Sequence, residues 1–317
     1  MHEASEPRQR HLALVGPTAS GKSALALEVA CRLGDVELVS VDSMQVYRGM
    51  DVGTAKPTAA ERAEVAHHLL DLADPSEEYS VSRFQADAEA AISGIEARGH
   101  RALLVGGTGL YLQAVVDRLA IPGRWPDVRA ELEAEVEREP AAVGALHRRL
   151  VEADPTAAAR IEPGNARRIV RALEVTVGSG RPFSSFGPGL DAYPANARFR
   201  LAGVWLPRAV VDERIESRYR SQLDAGFLDE VRGLAADSAG RDLSRTARQA
   251  LGYRELLDHL DGRATLDAAV AEAVRRTRAF ARRQRSWFRR DPRITWLGAS
   301  RNPLELVPAL LGDWRRI

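Results

Sequence analysis

Short apolar runs alternate with longer stretches of helical period along the first part of the chain. His11 to Val15 is such a run and ends at a glycine-rich turn. Ser23 to Leu33 follows, where Leu25, Leu27, Val29 and Ala30 suit a packed helix. Glu37 to Val41 and Arg101 to Val105 read as further strands, the latter preceded by a helical run from Ser82 to Arg98. Strands alternating with helices predict an α/β fold with a parallel sheet and right-handed crossovers. A charged, helix-rich interval begins near Ala120, and the next strand, Leu201 to Leu206, comes only after it. Gly178 to Pro194, rich in Gly, Pro and Ser, reads as the connection back. Helical patterns then dominate over Val211 to Ala225, Leu228 to Ala235, Ala250 to Leu260 and Leu266 to Arg290, before a late strand at Ile294 to Leu297. The expected organisation is a core formed by residues 1–119 and 200–317, with a helical C-terminal part, interrupted by an all-helical insertion at 120–199.

Composition narrows this picture only slightly. The 317 residues are 45% hydrophobic, enough for a sizeable core, and a formal net charge of +1 leaves any attraction to nucleic acid to local clustering. No run of about 18 uncharged apolar residues is present, and the polar start lacks an apolar stretch behind a basic head, so a cytoplasmic enzyme without a membrane span is expected. The single Cys31 reads as a small packed residue rather than a nucleophile. Of 45 basic residues only Lys22 and Lys56 are lysine, and both fall inside patterns that stand out on other grounds.

Gly16-Pro17-Thr18-Ala19-Ser20-Gly21-Lys22-Ser23 fits G-x-x-x-x-G-K-S/T between a predicted strand and a predicted helix. Its glycines let backbone N–H groups face phosphate oxygens at a positive helix end, Lys22 adds a mobile charge, and the Ser23 hydroxyl can bind Mg²⁺. The fold class is therefore a P-loop NTPase-like parallel sheet flanked by helices. The motif does not name its ligand, because a nucleoside triphosphate and an isoprenyl diphosphate both present a Mg²⁺-bound diphosphate.

The second strand ends at Asp42, which either holds Mg²⁺ through water, takes a proton from a nucleophile, or caps a turn. Gln45 carries the donor and acceptor needed to read an adenine edge. The adjacent pair His67-His68 lacks a cysteine or third histidine nearby and, on a helix, would point in two directions, so it reads as structural. Tyr47 and Tyr111 either line a channel or pack.

GPTASGKS followed by Asp42-Ser43-Met44-Gln45-Val46-Tyr47-Arg48-Gly49-Met50-Asp51-Val52-Gly53-Thr54-Ala55-Lys56-Pro57 resembles the tRNA dimethylallyltransferases. The resemblance runs on through His67 to Asp71, Gly106-Gly107-Thr108-Gly109-Leu110-Tyr111, Asn165 to Ile169 with Arg171 to Glu174, Ala250 to Glu255, and Arg282 to Phe288. Departures are mild, such as Ser286 where the family has Thr. The resemblance implies attack by the exocyclic amine of adenosine-37 in the tRNA anticodon stem-loop on dimethylallyl diphosphate, and a monomer is expected. It implies Asp42 as proton acceptor, Thr108 as a hydrogen-bonding group near the reacting atoms, and Gly16, Thr18, Ala19, Ser20, Gly21, Lys22 and Ser23 with Mg²⁺ at the diphosphate. An arginine of the helical half, Arg220 or Arg254, is expected to complete neutralisation. Asp42, Ser43, Met44 and Gln45, with Asn165, Ala166, Arg167, Arg168 and Ile169, match the tRNA-contacting segments. The nine arginines from Arg275 to Arg293, interleaved with Phe280, Trp287 and Phe288, suit a phosphate-binding face.

Two other classes fit parts of this pattern: a P-loop small-molecule or nucleoside kinase, and a non-enzymatic RNA-binding module. Ligand-dependent melting separates the three. A prenyl diphosphate is expected to raise the melting temperature of a transferase, ATP that of a kinase, and neither that of a binding module.

Overall fold

A computed structural model describes residues 10–139, 141–236 and 242–315 of the chain. Among the described residues one parallel sheet has the order β3-β2-β4-β1-β5-β6. Its strands are β1 (His11–Val15), β2 (Val36–Val41), β3 (His67–His68), β4 (Arg101–Gly106), β5 (Phe199–Trp205) and β6 (Ile294–Gly298). Leu12, Ala13, Leu14 and Val15 of β1 are almost wholly buried, as a central parallel strand covered on both faces requires. The flanking helices are α1 (Lys22–Leu33), α2 (Ala59–Glu64), α3 (Val81–Ala97) and α4 (Gly109–Val116).

A second compact unit spans Leu119–Ala192. It contains α5 (Pro126–Arg138), α6 (Ala142–Ala153), α7 (Pro155–Ala158) and α8 (Ala166–Ser179), packed on a core of its own that includes Leu132, Leu146, Leu150, Ile169 and Leu173. Buried Glu174 accepts from the Trp125 N–H and from Arg171, tying α8 to the start of α5. The expected boundary at residue 199 moves back to 192. Residues after it already belong to the first unit, where the Asn196 amide donates to Val116 O at 2.6 Å and Arg198 pairs with Glu89 and Glu96.

The first unit is completed by α9 (Arg208–Asp224), α10 (Phe227–Ala236), α11 (Arg245–Arg248), α12 (Tyr253–Leu260), α13 (Leu266–Phe288) and α14 (Val307–Arg315). The Thr265 side chain caps α13 by accepting from the Ala268 N–H, and Asp267 lies in its first turn, a favourable sign for a positive helix end. No helix among the described residues is long and apolar enough to cross a membrane.

Two local expectations change, and one that was left open is decided. His67 and His68 form the edge strand β3 rather than a helix. His68 Nε2 lies 2.6 Å from Glu37 Oε2 and His67 Nδ1 lies 2.8 Å from Val65 O, so both rings are engaged within the fold. Cys31 is exposed instead of packed, and partial desolvation, with the charges of Glu64 and Glu28, pushes its thiol above the ordinary range. Tyr47 and Tyr111 are both buried, and Tyr111 packs on Phe84 at 4.5 Å between ring centroids.

His11 is fully buried and its ring is held at both ends. Nδ1 accepts the Ala102 N–H at 2.9 Å, so the proton sits on Nε2 and points at Glu96. Burial is the main reason its pKa lies below 6.5, outweighing the Glu96 carboxylate. A pKa lowered by folding favours the neutral ring, so this stabilisation is full above the unfolded value and is lost as pH falls through the folded one. Half-buried His67 shifts the same way for the same reason. Glu37, bound by Arg98, His68 and His100, is depressed from 4.5 to about 2, and its contribution fades only below about pH 4.5. Melting temperature is therefore expected to be flat above pH 6.5 and to fall in two stages below it. His11→Gln should reduce the slope of the first stage, which is at most about 1.4 kcal/mol per pH unit per proton. An unchanged slope between pH 6.5 and 5 would exclude His11 as the group responsible.

Candidate active site

Register brings three motifs to one edge of the sheet. Val15 of β1 pairs with Gly106 of β4, and Gly106 pairs in turn with Val41 of β2. The residues that follow, Gly16, Asp42 and Gly107-Thr108, therefore leave the sheet side by side at its C-terminal edge, where open α/β sheets bind ligands.

The phosphate loop is wound tightly between β1 and α1. Ala19 takes φ 61° and Gly21 φ 80°. A left-handed alanine is a strained backbone of the kind kept at functional sites. Lys22 bends back to donate to Pro17 O at 3.3 Å. Burial lowers its pKa to about 8, Asp42 opposing and Arg218 adding to the shift. Ser20 Oγ is buried with no hydrogen-bond partner among the described residues, whereas Ser23 is exposed. The loop thus presents a helix N-terminus, a desolvated ammonium and an unsatisfied hydroxyl, all suited to an anion.

Asp42 plays two parts. Its Oδ1 accepts the Met44 N–H at 2.9 Å, closing the turn after β2, while Oδ2 makes no hydrogen bond among the described residues. The Thr108 hydroxyl accepts the Ser43 N–H at 3.2 Å, leaving its own proton for another acceptor. Gln45 is already committed: its carbonyl accepts from Ser40 Oγ and its amide donates to Thr54 O and Ala55 O. The expected adenine-reading role is thus replaced here by a role inside the loop.

From the helical half, an arginine other than the two expected reaches the phosphate loop. Arg220 is exposed and pairs with Glu216, and Arg254 is exposed on α12. Two residues before Arg220, on the inward side of α9, Arg218 donates to Thr18 Oγ1 at 3.2 Å and makes no ion pair among the described residues. Burial lowers its pKa, opposed by Tyr219 and Asp42. A helical wheel anchored on buried Ile215 and Tyr219 carries the signal that separates Arg218 from Arg220. Gln284 of α13 also reaches the loop, accepting the Thr18 N–H. From α10, Glu230 accepts the backbone N–H groups of Asp51, Val52 and Gly53, while Gln222 of α9 donates to Val52 O and Gly53 O. Lys56 Nζ, itself buried, binds Tyr47 O, Asp51 and Asp71. Residues 42–57 therefore form a loop braced from three sides.

The segments expected to meet RNA divide by exposure. Asn165 caps α8 by accepting the Arg168 N–H, and Arg167 and Arg168 are exposed in the first turn. Ile169 is completely buried in the second unit's core, which removes it as a direct contact. Of the nine arginines from Arg275 to Arg293, Arg275, Arg276, Arg278 and Arg293 are held by carboxylates. Arg282, Arg283, Arg285 and Arg289 make no ion pair among the described residues, and Arg283 and Arg285 lie over the Phe280 and Trp205 rings. No cluster of three or more His, Cys, Asp or Glu side chains suited to a metal occurs among the described residues.

The IPP transferase family model matches residues 45–291, and an isopentenyl transferase model matches residues 9–74. A tRNA dimethylallyltransferase of Kineococcus radiotolerans is 50% identical over 315 residues, 96% of each chain. That of Streptomyces coelicolor is 51% identical over 292 residues, covering 92% of this chain and 91% of its own. Among solved structures, the tRNA isopentenylpyrophosphate transferase of Bacillus halodurans superposes with a TM-score of 0.67 at 39% identity, covering 98% of each chain. A eukaryotic dimethylallyltransferase acting on tRNA gives a TM-score of 0.74 at 26% identity, over 92% of this chain and 74% of its own. These matches lend no support to the kinase alternative, and with a family model spanning most of its length, the chain belongs to the IPP transferase family.

Proposed function

We propose that this enzyme transfers a dimethylallyl group from dimethylallyl diphosphate to N6 of adenosine-37 in tRNA, releasing pyrophosphate. The observation that carries the reading is the in-register exit of Gly16, Asp42 and Gly107 from β1, β2 and β4, which puts an anion cradle beside an open carboxylate oxygen. Relatives that act as tRNA dimethylallyltransferases over nearly the whole length support the acceptor.

The amine nitrogen of the base attacks the first carbon of the allyl chain, the carbon–oxygen bond breaks, and its electron pair leaves with the diphosphate. The nitrogen sheds one proton, which Asp42 Oδ2 accepts. The exocyclic amine is a poor nucleophile, so the leaving group has to be stabilised. Lys22, Arg218, the Ser20 hydroxyl and the amides at the start of α1 meet its growing charge. Thr108, whose hydroxyl proton is not used internally, orients the amine or the bridging oxygen. Mg²⁺ fits this site: the Ser23 hydroxyl, exposed at the start of α1, would hold it beside the diphosphate, where it would supply charge neutralisation, while Asp42 stays the proton acceptor. The target base has to leave its stack, at about a few kcal/mol, which favours a loop over a duplex as substrate. Asp42 to Met44, Asn165 to Arg168 and the arginines of α13 that make no ion pair among the described residues are the RNA-facing candidates.

Two experiments test this assignment. Purified protein with Mg²⁺, unmodified tRNA and dimethylallyl diphosphate should yield a dimethylallyl mass gain on adenosine by nucleoside mass spectrometry, and Asp42→Ala should slow it about 100-fold or more. Absence of the product with competent tRNA would sink the reading. In the same assay Arg218→Ala should lower kcat/KM for the prenyl diphosphate about 100-fold, while Arg220→Ala stays within about twofold of wild type. The opposite ranking would return the role to Arg220.

A further inference from the structure

Gln284 sits in the last two turns of α13, is 7% exposed, and uses both ends of its amide. Its Oε1 accepts the Thr18 N–H at 2.9 Å, and its Nε2 donates to Gly107 O at 2.9 Å. One partner belongs to the phosphate loop and the other immediately precedes Thr108. Position 107 has to be glycine for this contact, since a Cβ there would lie 2.3 Å from Gln284 Nε2. One turn on, Trp287 lies so close to Gly109 that a Cβ there would meet its Cδ1 at 2.3 Å. The C-terminal half of α13 thus grips the Gly107-Thr108-Gly109 turn on both sides while holding the phosphate loop with the same amide. It also withholds the Thr18 N–H from phosphate, leaving that work to the amides further along the loop and to Lys22.

We infer that Gln284 is a positioning residue for the prenyl transfer, resting on the function proposed above: it fixes the spacing between the phosphate loop and the Thr108 turn, and with it the spacing between leaving group and attacking amine. A primary amide is suited to this bridge because it accepts from an N–H and donates to a carbonyl at once, without charge. Each reactant keeps its own anchors when the bridge is lost, the diphosphate at Lys22 and Arg218 and the base near Asp42. The loss therefore falls on the chemical step, where a misplacement of about 1 Å costs on the order of 100-fold.

Gln284→Met keeps the volume and removes both hydrogen bonds. The expected outcome is a fall in kcat of about tenfold or more, with KM for tRNA and for dimethylallyl diphosphate each within about threefold of wild type. Because Gln284 acts through the Thr108 turn, Gln284→Met in a Thr108→Ala background should cost far less than in wild type, a non-additivity that mere loss of stability would not give. Gln284→Glu, which keeps the acceptor, loses the donor to Gly107 O and sets a carboxylate against that carbonyl, serves as the second variant and should move kcat in the same direction. Wild-type kcat in both variants, a rise confined to KM, or strictly additive losses would overturn the inference. An inactive wild-type protein would instead overturn the functional reading beneath it.

Discussion

The ladder that joins Val15, Gly106 and Val41 across β1, β4 and β2 is the constraint on which the site depends. Parallel strands in register share not only hydrogen bonds but the level at which they end. Each of these three strands ends on a motif residue, so the phosphate loop, the carboxylate and the hydroxyl emerge together without any side chain having to reach far. A slip of one residue in β2 would invert the facing of Val39 and Val41 and turn Asp42 away from Thr108. Burial of those strands on both faces makes such a slip expensive, which is how an apolar core enforces the position of polar chemistry a residue beyond it.

What lay within reach of local pattern was legible in the sequence. β1, β2 and β4 are short apolar runs bounded by glycine or acid, and the loop from Gly16 to Ser23 declares its backbone shape through its glycines. Asp42 follows directly from a strand end, whereas Thr108 stood out only through the resemblance to the tRNA dimethylallyltransferases. The two-residue β3 escaped notice because its strand character comes from pairing with β2, not from its own composition. Arg218 escaped for a different reason: an arginine-rich helix offers several candidates, and only the packing of Ile215 and Tyr219 decides which of them faces the core. Gln45 and Ile169 show the converse. Both sit in motifs that resemble substrate-contacting segments, yet one braces its own loop and the other fills a core, so a motif marks a region rather than the job of each side chain.

The helical half serves the sheet by bracing it. Glu230 and Gln222 hold residues 51–53 from α10 and α9, and Tyr253 donates its hydroxyl to Glu230 at 2.6 Å. A carboxylate receiving three backbone N–H groups and a phenol is fully satisfied, so its partial burial costs little and it resists displacement. These braces lie far along the chain from the loop they support. No spacing rule connects position 230 with position 52, and only the folded topology reveals the pair.

Electrostatics gives the same loop its appetite for an anion. Lys22 and Arg218 are both drawn out of water beside the phosphate loop, and burial lowers the pKa of each. Asp42 is the carboxylate that offsets both, yet it contacts neither closely enough to form an ion pair among the described residues. A cation kept without a close partner is a cost borne by the free protein. The same cation gains most when a dianionic group arrives, because part of its desolvation has already been met in folding and the field around it is less screened than in open water. In the proposed transfer the charge on the leaving diphosphate grows, so cations set in place beforehand would favour the transition state over the bound substrate. That ordering lets a fold with little net charge drive a reaction whose nucleophile is weak.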